Sequence, residues 1–465
     1  MTRTTAIPRD IRRPRRVRLL APVVAIAAAG AGLSACGGGS SGGSSGGIQT
    51  ITVAVTANPL MTTIENLTAG GFEASHPNIK VKFVTYDENT ERADVEKDVA
   101  AHGGQYDVVM IGPNDIANWA TNGWIDSLDS EVAADPSYNV DDLLKPIRAA
   151  LTSKGQLYAL PFYGESSFMM YNKKIFKADG LTMPADPTWA QIEALAAKAN
   201  KPSKNVAGIC LRGLTGWGDN LATLNTVINT MGGAWFDKNW NAQLTSPATE
   251  AAVNFYVNLV KQYGEPGAGN DSFTQCLNIF EQGQAAMWYD ATVGASTVDA
   301  PGSPINGDVG FAAAPVDKTS SSGWLWSWAL ALESSSKHQS AAEQFMNWAT
   351  SEQYIKYDAS KNGWAAVPPG TRTSTYQNPE YQKAAGDFAN LTLKQINSVN
   401  INQPGVAPQP VPGVQYVGIP EFEDFGQQVS AQITAAIDGQ KSVAQALATG
   451  QQIAQQAVTT AGYKQ

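Results

Sequence analysis

Tryptophans occur beside planar polar side chains in three short stretches of the sequence. The three groups are Arg212, Trp217, Asp219 and Asn220; Trp288, Tyr289 and Asp290; and Trp324, Trp326 and Trp328. An indole offers a flat apolar face to C–H groups, whereas carboxylate, amide and guanidinium groups bind hydroxyls in pairs. Together these side chains favour binding of a small, neutral, polyhydroxylated molecule in a cleft.

Core packing is the competing explanation for each tryptophan taken alone. Residues two apart share one face of a strand, so Trp324, Trp326 and Trp328 cannot easily all lie in a core. Trp364, which follows an Asn-Gly turn, is added to the predicted site. The remaining tryptophans are interpreted as packing residues: Trp119, Trp124, Trp189, Trp235, Trp240 and Trp348.

Sequence motifs of catalysis are sparse. No Gly-x-Ser-x-Gly motif joins a predicted strand to a helix, and residues 216–220 lack the glycine spacing of a phosphate-binding loop. The three histidines lie far apart and outside metal-ligand spacing. The enzymatic alternative is a glycoside hydrolase that pairs Glu165 with Asp219 or Asp290. We expect no enzyme activity, no metal and no cofactor.

The chain after residue 47 begins with alternating strands and helices. The predicted strands are residues 51–55, 79–84 and 106–111, and the predicted helices are residues 60–72 and 90–101. This order predicts a mostly parallel sheet, in which ligands bind beyond the carboxyl ends of the strands. Residues 87–89 and 112–115 follow two of these ends and are therefore candidates for a ligand site. Ordinary turn formation explains both stretches equally well.

An apolar extended segment, residues 158–173, is interrupted by one carboxylate, Glu165. Burying that charge is costly unless Glu165 faces a cleft or a partner. A chain of 465 residues exceeds what one compact core usually holds, which predicts two lobes. Further helices are predicted at 188–199, 220–231, 249–263, 273–282, 340–348, 352–360, 422–437 and 442–459, and strands at 206–211, 285–289 and 328–332.

The proline-rich residues 400–418 are predicted to form an irregular connection that runs over the surface or lines a cleft. The sequence leaves open whether Tyr416, within this stretch, reaches the cleft.

The first 47 residues are typical of an exported lipoprotein. An arginine-rich start precedes an apolar run at residues 19–33, and Leu33-Ser34-Ala35-Cys36 is similar to a lipobox. Residues 1–35 are therefore predicted to be a signal peptide, Cys36 a lipidated cysteine, and residues 36–47 a flexible Gly/Ser linker. The protein would lie outside the cytoplasm on the cell membrane, held there only by its lipid.

The net charge restricts the possible partners of the protein, and the cysteines indicate their own redox state. The full chain has a net charge of −9, and removing the arginine-rich leader makes it more acidic, which argues against nucleic acid as a partner. In an oxidising compartment, Cys210 and Cys276 are predicted to form a disulfide. Two separate buried thiols are the alternative.

The lipobox-like stretch, the alternating strands and helices that follow it, the order of the three tryptophan groups and the helical C-terminal end resemble one family. It is family 1 of the extracellular solute-binding proteins of bacterial ABC importers. The stretches that resemble the sorbitol/mannitol, or polyol, branch are residues 85–89, 103–108, 208–213 with 216–220, and 287–292. The resemblance implies a monomer that captures a sugar alcohol and delivers it to membrane permease subunits. A mono- or disaccharide is the alternative ligand, and it would use stacking faces more heavily.

The resemblance also implies an α/β fold, a type II two-lobe clamp with three crossovers between lobes and the ligand in the cleft. The implied lobes are residues 48–163 plus 328–364, and residues 165–326 plus 366–465. Glu165, Trp326 and Trp364 would lie near the successive crossovers. The ligand-binding residues would be Asn89, Asn114, Tyr163, Glu165, Arg212, Trp217, Asp219, Asp290, Trp324, Trp326 and Trp364.

Overall fold

The computed structural model describes residues 47–464. The predicted signal peptide, the lipidation site Cys36 and nearly all of the predicted linker lie outside the described residues. Among the helices of the described part, none is both long enough and apolar enough to cross a membrane.

Within residues 47–464, ten strands form two main sheets and one small hairpin. They are β1 Gln49–Thr56, β2 Ile79–Tyr86, β3 Val108–Ile111, β4 Thr152–Ser153, β5 Gln156–Leu157, β6 Leu160–Glu165, β7 Ser167–Asn172, β8 Met287–Ala291, β9 Val309–Ala313 and β10 Trp326–Leu332. Strands β4 and β5 pair only with each other.

Helices cover both sheets. They are α1 Pro59–Thr68, α2 Phe72–Ser75, α3 Glu88–Ala101, α4 Pro113–Asn122, α5 Asp129–Ala134, α6 Lys145–Ala150, α7 Lys173–Ala178, α8 Trp189–Ala199, α9 Asn220–Thr230, α10 Pro247–Tyr263, α11 Phe273–Glu281, α12 Ala295–Val298, α13 Gln339–Ala349, α14 Glu352–Asn362, α15 Thr373–Gln377, α16 Pro379–Ser398, α17 Phe422–Ile437 and α18 Val443–Thr460.

The first sheet has five strands in the order β2-β1-β3-β10-β6. Strand β1 pairs in parallel with β2 and β3, as the alternating strands and helices predicted. Strand β10 runs antiparallel to both β3 and β6, so the sheet is mixed rather than mostly parallel. The sheet and the helices packed on it are called the first lobe below.

The second sheet has three antiparallel strands in the order β8-β7-β9. Strand β7 follows β6 after a single residue, Ser166, so the segment predicted to be extended at residues 158–173 supplies one strand to each sheet. The second sheet and its helices are called the second lobe. The disulfide between Cys210 and Cys276 is present, as predicted, and it ties the segment before Arg212 to α11.

In the part of the chain that the structure describes, the backbone passes between the lobes three times. The first passage lies at Ser166 and the second lies between β9 and β10. The third was expected near Trp364, but Thr371 still accepts a hydrogen bond from the backbone N–H of Leu144 in the first lobe. Helix α16 then packs on the second sheet, where Phe388 contacts Phe311. The third passage therefore lies between Arg372 and Pro379, beyond the predicted position.

A close backbone contact fixes the first-lobe strand that carries Glu165. The backbone N–H of Gly164 donates to the carbonyl of Pro369 at 2.9 Å. Gly370 has a φ of +75°, and a Cβ added there would collide with the carbonyl of Gly164. Glycine is needed at position 370 both for its left-handed backbone and for this approach.

Most predicted elements are present. The predicted strand at 206–211 is reduced to isolated bridges, of which Cys210 with Trp288 is one. Helix α16 and strand β9 were not predicted, and neither were the shorter elements α2, α4 to α7, α12, α15, β4 and β5. Residues 400–418 contain no helix or strand, as expected.

Candidate ligand-binding site

A cavity of about 350 Å³ lies between the two lobes and takes side chains from both. Most residues that the sequence assigned to the site line it. Those residues are Asn89, Tyr163, Glu165, Arg212, Trp217, Asp219, Trp324 and Trp326.

Two neighbouring strands build the first-lobe wall. The antiparallel register of β6 and β10 places Glu165 opposite Trp326 and Tyr163 opposite Trp328. Directly opposed residues project from the same face of a sheet, and all four of these residues line the cavity. The alternation that the sequence shows at Trp326 and Trp328 is thus explained by a cavity on one face of β10.

Asn58 and Tyr163 extend this wall. Asn58 caps α1 by accepting a hydrogen bond from the backbone N–H of Met61 at 3.0 Å. Its amide nitrogen donates to the Tyr163 hydroxyl and to the Thr56 hydroxyl, each at 3.2 Å. The cap thereby holds a phenol and an amide in fixed positions at the cavity.

Glu165 lies at the end of β6 and is 5% exposed. Burial raises the pKa of Glu165 to about 8; Arg212 acts in the opposite direction, and the carboxylates of Asp290 and Glu88 raise the pKa further. A carboxyl group in this setting titrates near neutrality, and it can both donate to and accept from a hydroxyl.

Asp219 and Asn89 meet across the cleft. The Asn89 amide nitrogen, on α3 of the first lobe, donates to Asp219 Oδ2 at 2.9 Å and to the Thr215 carbonyl at 3.1 Å. Burial raises the pKa of Asp219 to about 7, and the charge of Glu88 adds to this, while Arg212 opposes it. The two lobes are therefore in direct contact in this structure, which is a closed arrangement.

Arg212 is held by a bidentate ion pair. Its Nε donates to Asp290 Oδ2 at 3.0 Å, its Nη2 donates to Asp290 Oδ1 at 2.6 Å, and its Nη1 donates to the Gly218 carbonyl at 2.8 Å. Burial acts to lower the pKa of Arg212, but the adjacent Asp290 outweighs it and raises that pKa. The guanidinium is charged and fixed, with one edge on the cavity.

Asp290 supports the site from behind. It is completely buried, does not line the cavity, and also accepts from the Trp288 indole N–H at 3.1 Å and from the Ala291 backbone N–H at 2.6 Å. Because protein donors occupy both of its oxygens, the predicted direct contact with ligand is replaced by a role in positioning Arg212.

The structure does not bring Asn114 and Trp364 to the cavity. Asn114 lies in the first turn of α4, and its amide nitrogen donates to Asp115 at 2.7 Å and to Glu423 at 2.5 Å. The Trp364 indole N–H donates to Glu380 at 2.6 Å, near the start of α16. Asn114 bridges the lobes beside the cavity, whereas Trp364 packs where α14 ends.

Several lining residues were not predicted. Among them are Asn58, Glu88, Arg92, Phe273, Gln275 and Gln415. Trp328, which belongs to a predicted tryptophan group but not to the predicted ligand-binding residues, also lines the cavity. Glu88 and Arg92 carry a signal in the sequence, because a carboxylate followed four residues later by an arginine forms an ion pair on one helix face, here at 2.9 Å. Gln415 shows that the proline-rich connection reaches the cavity, while its neighbour Tyr416 packs against Trp217 and Trp326.

One group of metal-ligating residue types occurs among residues 47–464: Cys210, Cys276 and the partly buried Glu265. The two cysteines are oxidised to a disulfide, which removes the thiolates that a metal would need. This group therefore does not fit a metal ion.

The family model described as bacterial extracellular solute-binding protein matches residues 45–356. A mannitol-binding protein of Pseudomonas aeruginosa is 43% identical over 419 residues, which cover 90% of this chain and 95% of that protein. The chain belongs to the bacterial extracellular solute-binding proteins. This membership confirms the predicted family, and it confirms that this solute-binding protein is not an enzyme.

Solved structures agree with the fold. A solute-binding protein of an ABC transporter from Agrobacterium vitis, solved with bound D-mannitol, is 47% identical with a TM-score of 0.87 and covers 90% of this chain and 100% of that chain. A second such protein, from Agrobacterium radiobacter, in complex with ribitol, is 24% identical with a TM-score of 0.77 over 88% of this chain and 98% of that chain. The predicted two-lobe α/β fold of this solute-binding protein is confirmed.

Proposed function

We propose that this protein captures an open-chain polyol of the mannitol type and delivers it to the membrane permease of an ABC importer. The observation that carries the proposal is the cavity between the lobes, where Glu165, Asp219 and Arg212 converge beside four tryptophans. The 43% identity to a mannitol-binding protein and the 47% identity to a structure holding D-mannitol favour a hexitol.

Binding would act by closing the clamp. Arg212 and Asp219 belong to the second lobe, and Glu165 and Tyr163 belong to the first. A polyol that bonds to both sets has higher affinity for the closed form than for the open form and shifts the population toward closure. The permease would recognise the closed form.

Calorimetric titration tests the ligand class. We expect tight binding of D-mannitol, weaker binding of sorbitol, arabitol or xylitol, and much weaker but measurable binding of methyl α-D-glucopyranoside, whereas maltose should give no heat. Asp219→Asn should weaken mannitol binding, and the exposed Asp186→Asn, whose partner is the equally exposed Lys394, serves as the matched control. Absence of heat with every polyol would overturn the proposal, and preferential binding of maltose would assign the protein to the ring-sugar alternative.

We further propose that the exported protein is monomeric and anchored to the outer face of the cell membrane by lipid on Cys36, through the linker of residues 36–47. The leader at residues 1–35 and the lipobox-like stretch support this. Cys36→Ser should move the protein from the membrane fraction to the culture medium. Retention of the variant in the membrane fraction would contradict lipid anchoring without affecting the ligand assignment.

The lobe limits remain part of the proposal. The predicted limits, residues 48–163 plus 328–364 and residues 165–326 plus 366–465, are proposed with one change. The first lobe extends to residue 372, since Thr371 still bonds to Leu144, and the second lobe resumes at residue 379.

A further inference from the structure

Arg92 occupies an aromatic enclosure at the cavity. The residue lies on α3, and its guanidinium carbon is 4.2 Å from the ring centroid of Trp217, 4.6 Å from that of Trp328 and 5.1 Å from that of Trp326. All three distances are within the range in which a cation is attracted by the ring face. The side chain is only 9% exposed.

Glu88 fixes the orientation of this guanidinium. Arg92 Nε donates to Glu88 Oε1 at 3.2 Å, and Nη2 donates to the same oxygen at 2.9 Å. Both residues lie one turn apart on α3, so the ion pair is local and does not depend on closure of the lobes. A planar group held in this way covers the indoles rather than moving away from them.

Trp324, the fourth tryptophan of the cavity, also lies near a guanidinium group, that of Arg212. The Arg212 guanidinium carbon is 5.9 Å from the ring centroid of Trp324. Trp217 also packs edge-on against Trp326 and Phe422, with ring centroids 5.9 Å and 5.8 Å apart. The indole faces of this cavity are thus paired with guanidinium groups and with one another.

This arrangement bears on the shape of the ligand. A pyranose ring needs a flat apolar face against its C–H surface, and here guanidinium groups lie over the faces that would serve. An open-chain polyol carries a hydroxyl on every carbon and binds through hydrogen bonds along its length. Glu165, Asp219 and Arg212 supply such bonds from both lobes.

We propose that Arg92 is a specificity-determining residue that covers the indoles of Trp217, Trp326 and Trp328 and thereby selects open-chain polyols against ring sugars. The inference rests on the proposed function, since it concerns discrimination at the same site. It assigns to Arg92 a role that a purely structural ion pair with Glu88 would not have.

The test compares ligands within each variant. In Arg92→Ala, which uncovers the indoles, we expect the ratio of the Kd for methyl α-D-glucopyranoside to the Kd for D-mannitol to fall at least tenfold relative to the unsubstituted protein. Arg92→Gln removes the charge but keeps most of the length, and it should give an intermediate ratio. Arg148→Ala is the matched control, since Arg148 is 42% exposed and pairs with the exposed Asp141.

The possible results distinguish failure of this inference from failure of the proposed function. If both affinities fall by the same factor in the Arg92 variants, Arg92 only stabilises the closed form and the inference is overturned. If Arg92→Ala does not fold, the ratio in Arg92→Gln decides the question, and a ratio equal to that of the control overturns the inference. If the unsubstituted protein binds no polyol at all, the proposed function itself has failed.

Discussion

Glu165 and Asp290 are two buried carboxylates near one guanidinium, and their surroundings differ. Asp290 is 0% exposed and accepts from Arg212, from Trp288 and from the backbone N–H of Ala291. Glu165 lines the cavity, and its pKa is raised by burial to about 8. A carboxylate whose oxygens are occupied by protein donors maintains the fold, whereas one that faces a cavity is available to a ligand.

Asp290→Asn should give the largest effect on stability. Removing one charge of a buried ion pair leaves Arg212 charged and incompletely paired, and such changes cost roughly 3–5 kcal/mol. We expect the free energy of unfolding, measured with urea, to fall by about this amount. Asp186→Asn, at an exposed ion pair, should change it by less than about 1 kcal/mol. Similar losses for both variants would contradict the role assigned to Asp290.

The disulfide near Arg212 should give the next largest effect on the free energy of unfolding. Cys210 lies two residues before Arg212 and is joined to Cys276 across 66 residues. Replacing both cysteines by serine should lower the free energy of unfolding by about 2–4 kcal/mol. Titration of free thiols in the unfolded, unreduced protein checks the bridge independently, and two free thiols per chain would refute it.

Glu165→Gln should show the opposite pattern to Asp290→Asn. An amide offers one acceptor oxygen in place of two, so we expect the Kd for D-mannitol to rise about tenfold, or roughly 1.4 kcal/mol. The free energy of unfolding should not fall, because a buried ionisable group is removed. Calorimetry and urea unfolding on the same variant give both values. Loss of stability with unchanged affinity would reverse the assigned roles of the two carboxylates.

The last prediction concerns the pH dependence of stability. The pKa of Glu165 is raised from 4.5 to about 8, so the native protein binds this proton more tightly than the unfolded chain does. The resulting contribution to stability is complete below about pH 4.5 and is lost as the pH rises toward 8. Asp219, with its pKa raised to about 7, adds a second decline in the same direction. Urea unfolding across this range should show a shallower decline for Glu165→Gln, and parallel curves would argue against Glu165 as a source.

The local part of the site could be predicted from the sequence, because strand alternation and composition reflect the surroundings of residues that are close together along the chain. The interruption of an apolar segment by Glu165 and the spacing of Trp326 and Trp328 correctly indicated a cavity-facing side of two strands. Helix α16 was missed although Asn378 and Pro379 form a recognisable N-terminal cap.

The long-range part could not be predicted in this way. Asp290 and Arg212 are 78 residues apart, and nothing in the sequence shows that the carboxylate turns toward the arginine instead of toward the ligand. The position of Trp364 failed for a related reason: its indole N–H bonds to Glu380, which lies on the helix that was missed. Arg92 was overlooked because its three indoles come together only in the folded chain.

The hydrogen bonds from Asn89 to Asp219 and Thr215 affect how strongly closure of the lobes depends on bound ligand. They join the lobes directly through protein groups, so part of the energy of closure comes from the protein itself. Each such bond reduces the free energy that ligand binding must supply for closure. It also reduces the difference in closed population between the liganded and the unliganded protein. If the permease recognises the closed form, as proposed above, a stronger pair would favour tighter ligand binding but would also increase the share of closed protein that carries no ligand.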